Sequence, residues 1–148
     1  MKRIVYLLLF LFITTSSYAQ WYKTTIPADE LLGISEVSGY IFHDDEGCIS
    51  FLNNGMITIW TNEGLFDYDA NREIEVLMGV YDGNDKLVSK GRYIFKVRKD
   101  GSTIWAIKFM DIYNLVVNKK CTVRVVIDRY CRSSLDIKTK IMENVLSI

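Results

Sequence analysis

Apolar and polar residues alternate along three consecutive segments: Glu73 to Val80, Arg92 to Arg98 and Thr103 to Phe109. Successive side chains of an extended strand point to opposite faces, so a period of two marks a half-buried strand. The alternation predicts one apolar face across three strands. It is made of Ile74, Val76, Met78 and Val80, then Tyr93, Phe95 and Val97, then Trp105, Ile107 and Phe109. Lys99-Asp100-Gly101-Ser102 supplies a tight Asp-Gly hairpin between the last two strands. The connection from Tyr81 to Gly91 is longer and gives no readable register.

The same pattern recurs at Val37 to His43, Cys48 to Leu52, Met56 to Thr61, Leu65 to Tyr68, Thr122 to Arg129 and Leu135 to Ile141. Asn53-Asn54-Gly55 is the strongest hairpin signal, because Asn-Gly readily takes the positive φ angles of a tight turn. Trp21 to Ile34 has no clean period, and Pro27 to Leu32 suits a short helical turn with Asp29 and Glu30 at its start. Asp111 to Lys120 fits either a two-turn helix through Ile112, Leu115 and Val116 or an edge strand. Short strands with regular turn signals point to an all-β fold. The architecture expected is an antiparallel β-sandwich of about eight or nine short strands, with hairpin and meander connections and one or two helical turns.

At the amino terminus Lys2 and Arg3 precede an apolar run from Ile4 to Ile13, followed by Ser16-Ser17-Tyr18-Ala19. This is the layout of a secretory signal peptide cleaved after Ala19. The run falls short of the ~20 residues that a membrane-spanning helix needs. Residues 1–19 are therefore read as signal and 20–148 as a single secreted or periplasmic domain. No cysteine follows the cleavage site to carry a lipid, and no later segment reads as a membrane span. The chain has 18 basic and 18 acidic residues. Losing Lys2 and Arg3 leaves a net charge of about −2, which argues against nucleic acid as a partner. With 49% apolar residues and one proline, the sequence has no long low-complexity stretch.

Catalytic chemistry is thinly represented. His43 is the single histidine, which excludes the usual histidine-based zinc sites, and no Cys-x-x-Cys spacing replaces them. A Cys-His nucleophile pair would need a distant cysteine to fold back beside His43. Asp67, Asp69 and Asn71 have the spacing that opens a calcium loop. Arg72 then replaces the glycine of the sharp bend, and Met78 stands where the closing glutamate belongs. A non-standard calcium site would use these residues or Asp82 with Asn84. Turn chemistry explains both stretches more simply. No phosphate-binding glycine loop, dinucleotide fingerprint or nucleophile elbow occurs, so no cofactor is expected. Of Cys48, Cys121 and Cys131, a disulfide joining Cys48 to one of the others is the pairing considered, with buried free thiols as the alternative.

The face opposite the predicted core is more informative. Lys90, Arg92, Lys96 and Arg98 share one parity, and Glu73 and Glu75 lie on the neighbouring strand to pair with them. This charged face is interrupted by Leu77, Tyr81, Ile94, Ile104, Ala106 and Val126. A fully solvated face would not carry apolar residues at mid-strand, so something covers it. The cover is either the chain itself, through Trp21 to Leu32 or Ile112, Leu115 and Val116, or a partner. Trp60 is a further anchor of interface type. The leading expectation is a non-catalytic exported protein that binds another protein or an envelope component through a sheet face. Its binding residues would be Leu77, Tyr81, Ile94, Ile104 and Trp60. One alternative is a carrier of a small apolar molecule in a cavity lined by Trp105, Phe95, Tyr93 and Phe109. Another is an enzyme using His43 with a cysteine or the acidic turn residues.

Overall fold

A computed structural model describes residues 19–31, 33–61, 72–98, 103–127 and 135–147. The strands are β1 (Gln20–Ile26), β2 (Val37–His43), β3 (Gly47–Leu52), β4 (Ile57–Thr61), β5 (Glu73–Tyr81), β6 (Leu87–Val97), β7 (Ile104–Ala106), β8 (Thr122–Ile127), β9 (Leu135–Lys138) and β10 (Leu146–Ser147). A single helix among the described residues, α1 (Met110–Val117), follows β7. The expected strand Leu65 to Tyr68, the signal residues before Ala19 and the Lys99 to Ser102 turn lie outside the described residues.

The fold is mostly β, as the alternation implied, but the two facing antiparallel sheets expected of a sandwich are not what the hydrogen bonds build. Among the described residues the strands form one continuous sheet, ordered β10-β1-β2-β3-β4-β7-β6-β5-β8-β9. It is mixed because β1 and β10 run parallel. The sheet curls into a half-barrel, and β9 comes round to pack against β3. A curled sheet encloses its own concave face, so one sheet does the work of two.

That concave face is the core. Ile74, Val76, Met78 and Val80 are buried, as their alternation predicts, and so are Phe95 and Val97. They join Phe42, Ile49, Phe51, Ile57 and Ile59 in one cluster. Burying each such side chain stabilises the fold by roughly 1.5–3 kcal/mol. The helix supplies Ile112 and Val116 to the same cluster, which settles the ambiguous segment as a helix packed inside the curl.

Three local expectations are corrected. Trp21 to Ile26 is a full strand, paired with β2 from Gln20↔His43 to Ile26↔Val37, and among the described residues an antiparallel bridge between Asp29 and Ile34 follows where a helical turn was expected. The face of β7 is inverted: Ile104 and Ala106 are buried, Trp105 is half-buried and Ile107 is 46% exposed. The register Val97↔Ile104 requires this, since cross-strand partners share a face. Phe109 still reaches the core, by a different route. The strand ends at Ala106, Lys108 takes a left-handed φ of 75°, and Phe109 turns back to stack on Phe95 at 6.0 Å and meet Tyr93 edge-on at 5.0 Å.

The turns follow their sequences closely. Gly55 has φ +85° and donates to the Leu52 carbonyl, closing the Asn53-Asn54-Gly55 turn. The Asp82 side chain accepts hydrogen bonds from the backbone N–H groups of Asn84 and Lys86 at 2.9 and 3.0 Å. That carboxylate organises its own turn, as aspartate side chains do when they bond the backbone a few residues on. Asp67, Asp69 and Asn71 lie outside the described residues.

Candidate binding face

The convex side of β5, β6 and β8 carries the residues that broke the charged pattern. Register places Leu77 between Arg92 on β6 and Val126 on β8, with Ile94 opposite Glu75, one diagonal step away. Leu77 is 44% exposed and Ile94 51% exposed. Neither stretch expected to cover them does so: residues 20–26 are a sheet strand and the helix packs on the concave side. Tyr81 and Val126 are half-buried on the convex face. Ile104 does not belong to this set, because it is fully buried in the core. Trp60 is half-buried on the convex face opposite Cys48, but it stands three strands from Leu77, at ~4.8 Å per strand. It lines a separate open cleft with Thr58, Arg98 and Thr103.

A β-bulge completes the patch. The register of β5 with β6 shifts between Val80↔Ser89 and Tyr81↔Leu87, which turns Leu87 onto the convex face beside Tyr81. Leu87 and Val88 are 42% and 49% exposed. Both fall inside the long connection expected from Tyr81 to Gly91, where the apolar pair Leu87-Val88 just after the Asp82 to Lys86 turn is the only sign of a strand in the sequence. At the centre lies Gly79, flanked by Lys90 and Arg124. Above it is a pocket of about 120 Å³, walled by Leu77, Tyr81, Leu87 and Val126 and bordered by the two basic residues.

Ion pairs frame the patch. Arg92 donates to Glu75 at 2.6 Å, as the facing charges on β5 and β6 led one to expect. Arg124 makes a bidentate pair with Asp136, at 2.7 and 2.5 Å. Those hydrogen bonds hold the Asp136 carboxyl below its ordinary value. Lys138 reaches Asp85 at 2.5 Å while its ammonium lies 4.2 Å from the centre of the Tyr81 ring, which fixes that ring as a wall. Lys90 has no ion-pair partner among the described residues.

The other candidates fare differently. His43 does have a cysteine beside it, but it is the near one: Cys48 is its cross-strand partner. Burial, and next the negative charge of Asp44, push the Cys48 thiol up to about 12. A nucleophilic thiolate needs the opposite shift. Cys48 and Cys121 are both buried free thiols, so the disulfide considered between them does not form; Cys131 lies outside the described residues. Of the aromatics expected to line a carrier cavity, Phe95, Tyr93 and Phe109 pack on one another, and Trp105 points to the other face. No helix among the described residues is long and apolar enough to cross a membrane, and no group of potential metal ligands occurs among them. Comparison with protein-family models, with curated proteins and with solved structures finds no match.

Proposed function

We propose that this chain is an exported, non-catalytic β-protein that binds another protein or an envelope component through the convex face of β5, β6 and β8. One observation carries the reading: Leu77 and Ile94 stand mid-strand and about half exposed, Leu77 as a wall of the pocket over Gly79 and Ile94 beyond its edge. Exposed apolar side chains grouped at the centre of a sheet face and ringed by ion pairs have the anatomy of a protein interface, with an apolar middle and a polar rim. The pocket is well below the roughly 300–1,000 Å³ of sites that enclose small molecules, so it suits the anchoring of a side chain better than the carriage of a ligand.

The test begins with the purified processed chain, whose amino-terminal residue should be Gln20 if the export signal is cut as its sequence implies. That chain is immobilised and challenged with an envelope extract, in parallel with Ile94→Asp and Leu77→Asp. Species retained by the parent and lost from both variants, with unchanged thermal unfolding, support the reading. Retention of the same species by both variants overturns it.

A further inference from the structure

The pocket over Gly79 has a specific chemistry. Resting on the binding-face reading, we infer that its occupant is a protein segment presenting one aliphatic side chain beside a carboxylate. The size sets the first half. About 120 Å³ is the space of roughly four liquid waters, enough for a branched aliphatic side chain and too little for a lipid chain or a cofactor. The hole exists because residue 79 has no side chain. A Cβ there would stand 3.2 Å from Leu87 Cδ1 and 3.2 Å from Tyr81 Cε2. Apolar walls on a rigid strand favour an apolar anchor, with no polar group of the pocket left unpaired by it.

The rim sets the second half. Three nearby cations already have acidic partners: Arg92 with Glu75, Arg124 with Asp136 and Lys138 with Asp85. Lys90, which lines the pocket, has none among the described residues. An unpaired ammonium at the lip of an apolar hole is complemented by an anion that arrives with the occupant. Ile94 extends the apolar surface past the pocket on the same face, which calls for a partner broader than a free amino acid.

The probes are N-acetyl-L-leucine, which carries the side chain and a carboxylate, and N-acetyl-L-leucinamide, which lacks the charge. Each is titrated into ¹⁵N-labelled processed chain while the amides of Leu77, Gly79 and Val126 are followed. Both should move those amides, the acid binding about two- to five-fold more tightly, as one solvent-exposed ion pair supplies. Lys90→Gln should erase the difference, and Gly79→Ala, which fills the floor, should abolish both responses. Equal affinity for the two probes overturns the carboxylate while leaving the binding face intact. Silence of all three amides, with capture still lost in Ile94→Asp, overturns the pocket as the anchor and again spares the face.

Discussion

Replacing Ile104 by alanine separates the observed register of β7 from the one that alternation alone would favour. Ile104 is fully buried between Ile59 of β4 and Val97 of β6, whereas Ile107 is 46% exposed. Ile104→Ala removes three carbons, worth ~0.8 kcal/mol each in transfer, and leaves a cavity between two strands that hold each other in place. The cost should be about 3 kcal/mol, within the ~2–5 kcal/mol of such truncations. For a domain of this size, that corresponds to a fall of about 12 °C in Tm. Ile107→Ala should cost less than about 1 kcal/mol, a shift under about 4 °C. Urea unfolding followed by tryptophan fluorescence, with thermal melts by circular dichroism, reads both. If Ile107→Ala proves the more damaging, the strand has the opposite face inward and the pairing Val97↔Ile104 is wrong. Should Ile104→Ala fail to accumulate, Ile104→Val against Ile107→Val poses the same question at about 0.5–1.5 kcal/mol against almost none.

Other consequences can be checked on the same chain. With its folded thiol at about 12, Cys48 should resist iodoacetamide at pH 8 in the native state and react once urea unfolds it. An unfolded-chain thiol ionises near ~8.5, so the stabilisation linked to Cys48 is fully present below that pH and is lost as pH rises toward the folded value. The slope should reach at most ~1.4 kcal/mol per pH unit, and Cys48→Ala should flatten it. Gly47→Ala places a Cβ 2.2 Å from the Trp60 carbonyl oxygen and should destabilise by more than ~2 kcal/mol in urea. Gly83→Ala meets nothing within 4 Å and should be close to neutral in the same assay. The Asp136 carboxyl should titrate below the ordinary range by ¹³C NMR and return to it in Arg124→Gln. Its small contribution to stability is present above the unfolded-chain value and disappears as pH falls through the depressed one.

How much was legible in the sequence depends on how local the cause was. Alternation is a property of successive residues, so β2 matched its predicted bounds and the inward side of β5 was correctly identified. Turn chemistry is equally local, which is why Asn53-Asn54-Gly55 and the Asp82 turn behaved as their residues imply. The exposure of Leu77 and Ile94 was also legible, because each sits at the wrong parity for the core. Pairing is not local. The segment Gln20–Ile26 is a strand because β2 lies beside it; only Trp21 of its side chains is buried, leaving almost no period to read. The phase of β7 is set by its neighbours, through Val97↔Ile104 on β6 and Ile59↔Ile104 on β4. The bulky Trp105, Ile107 and Phe109 suggested the other face.

The sequence by itself determined a mostly β chain, most of its described strands, the Asn53-Asn54-Gly55 and Asp82 turns, and two of the residues exposed on the convex face. Only the tertiary structure decided that the strands close into one curled sheet, with β4 beside β7 and β5 beside β8, because such contacts join segments far apart in the chain. It alone buried Ile104 and used the bulge after Val80 to bring Leu87 round to the pocket over Gly79. Each of these turns on register, and a one-residue slip moves a side chain from one face of a sheet to the other.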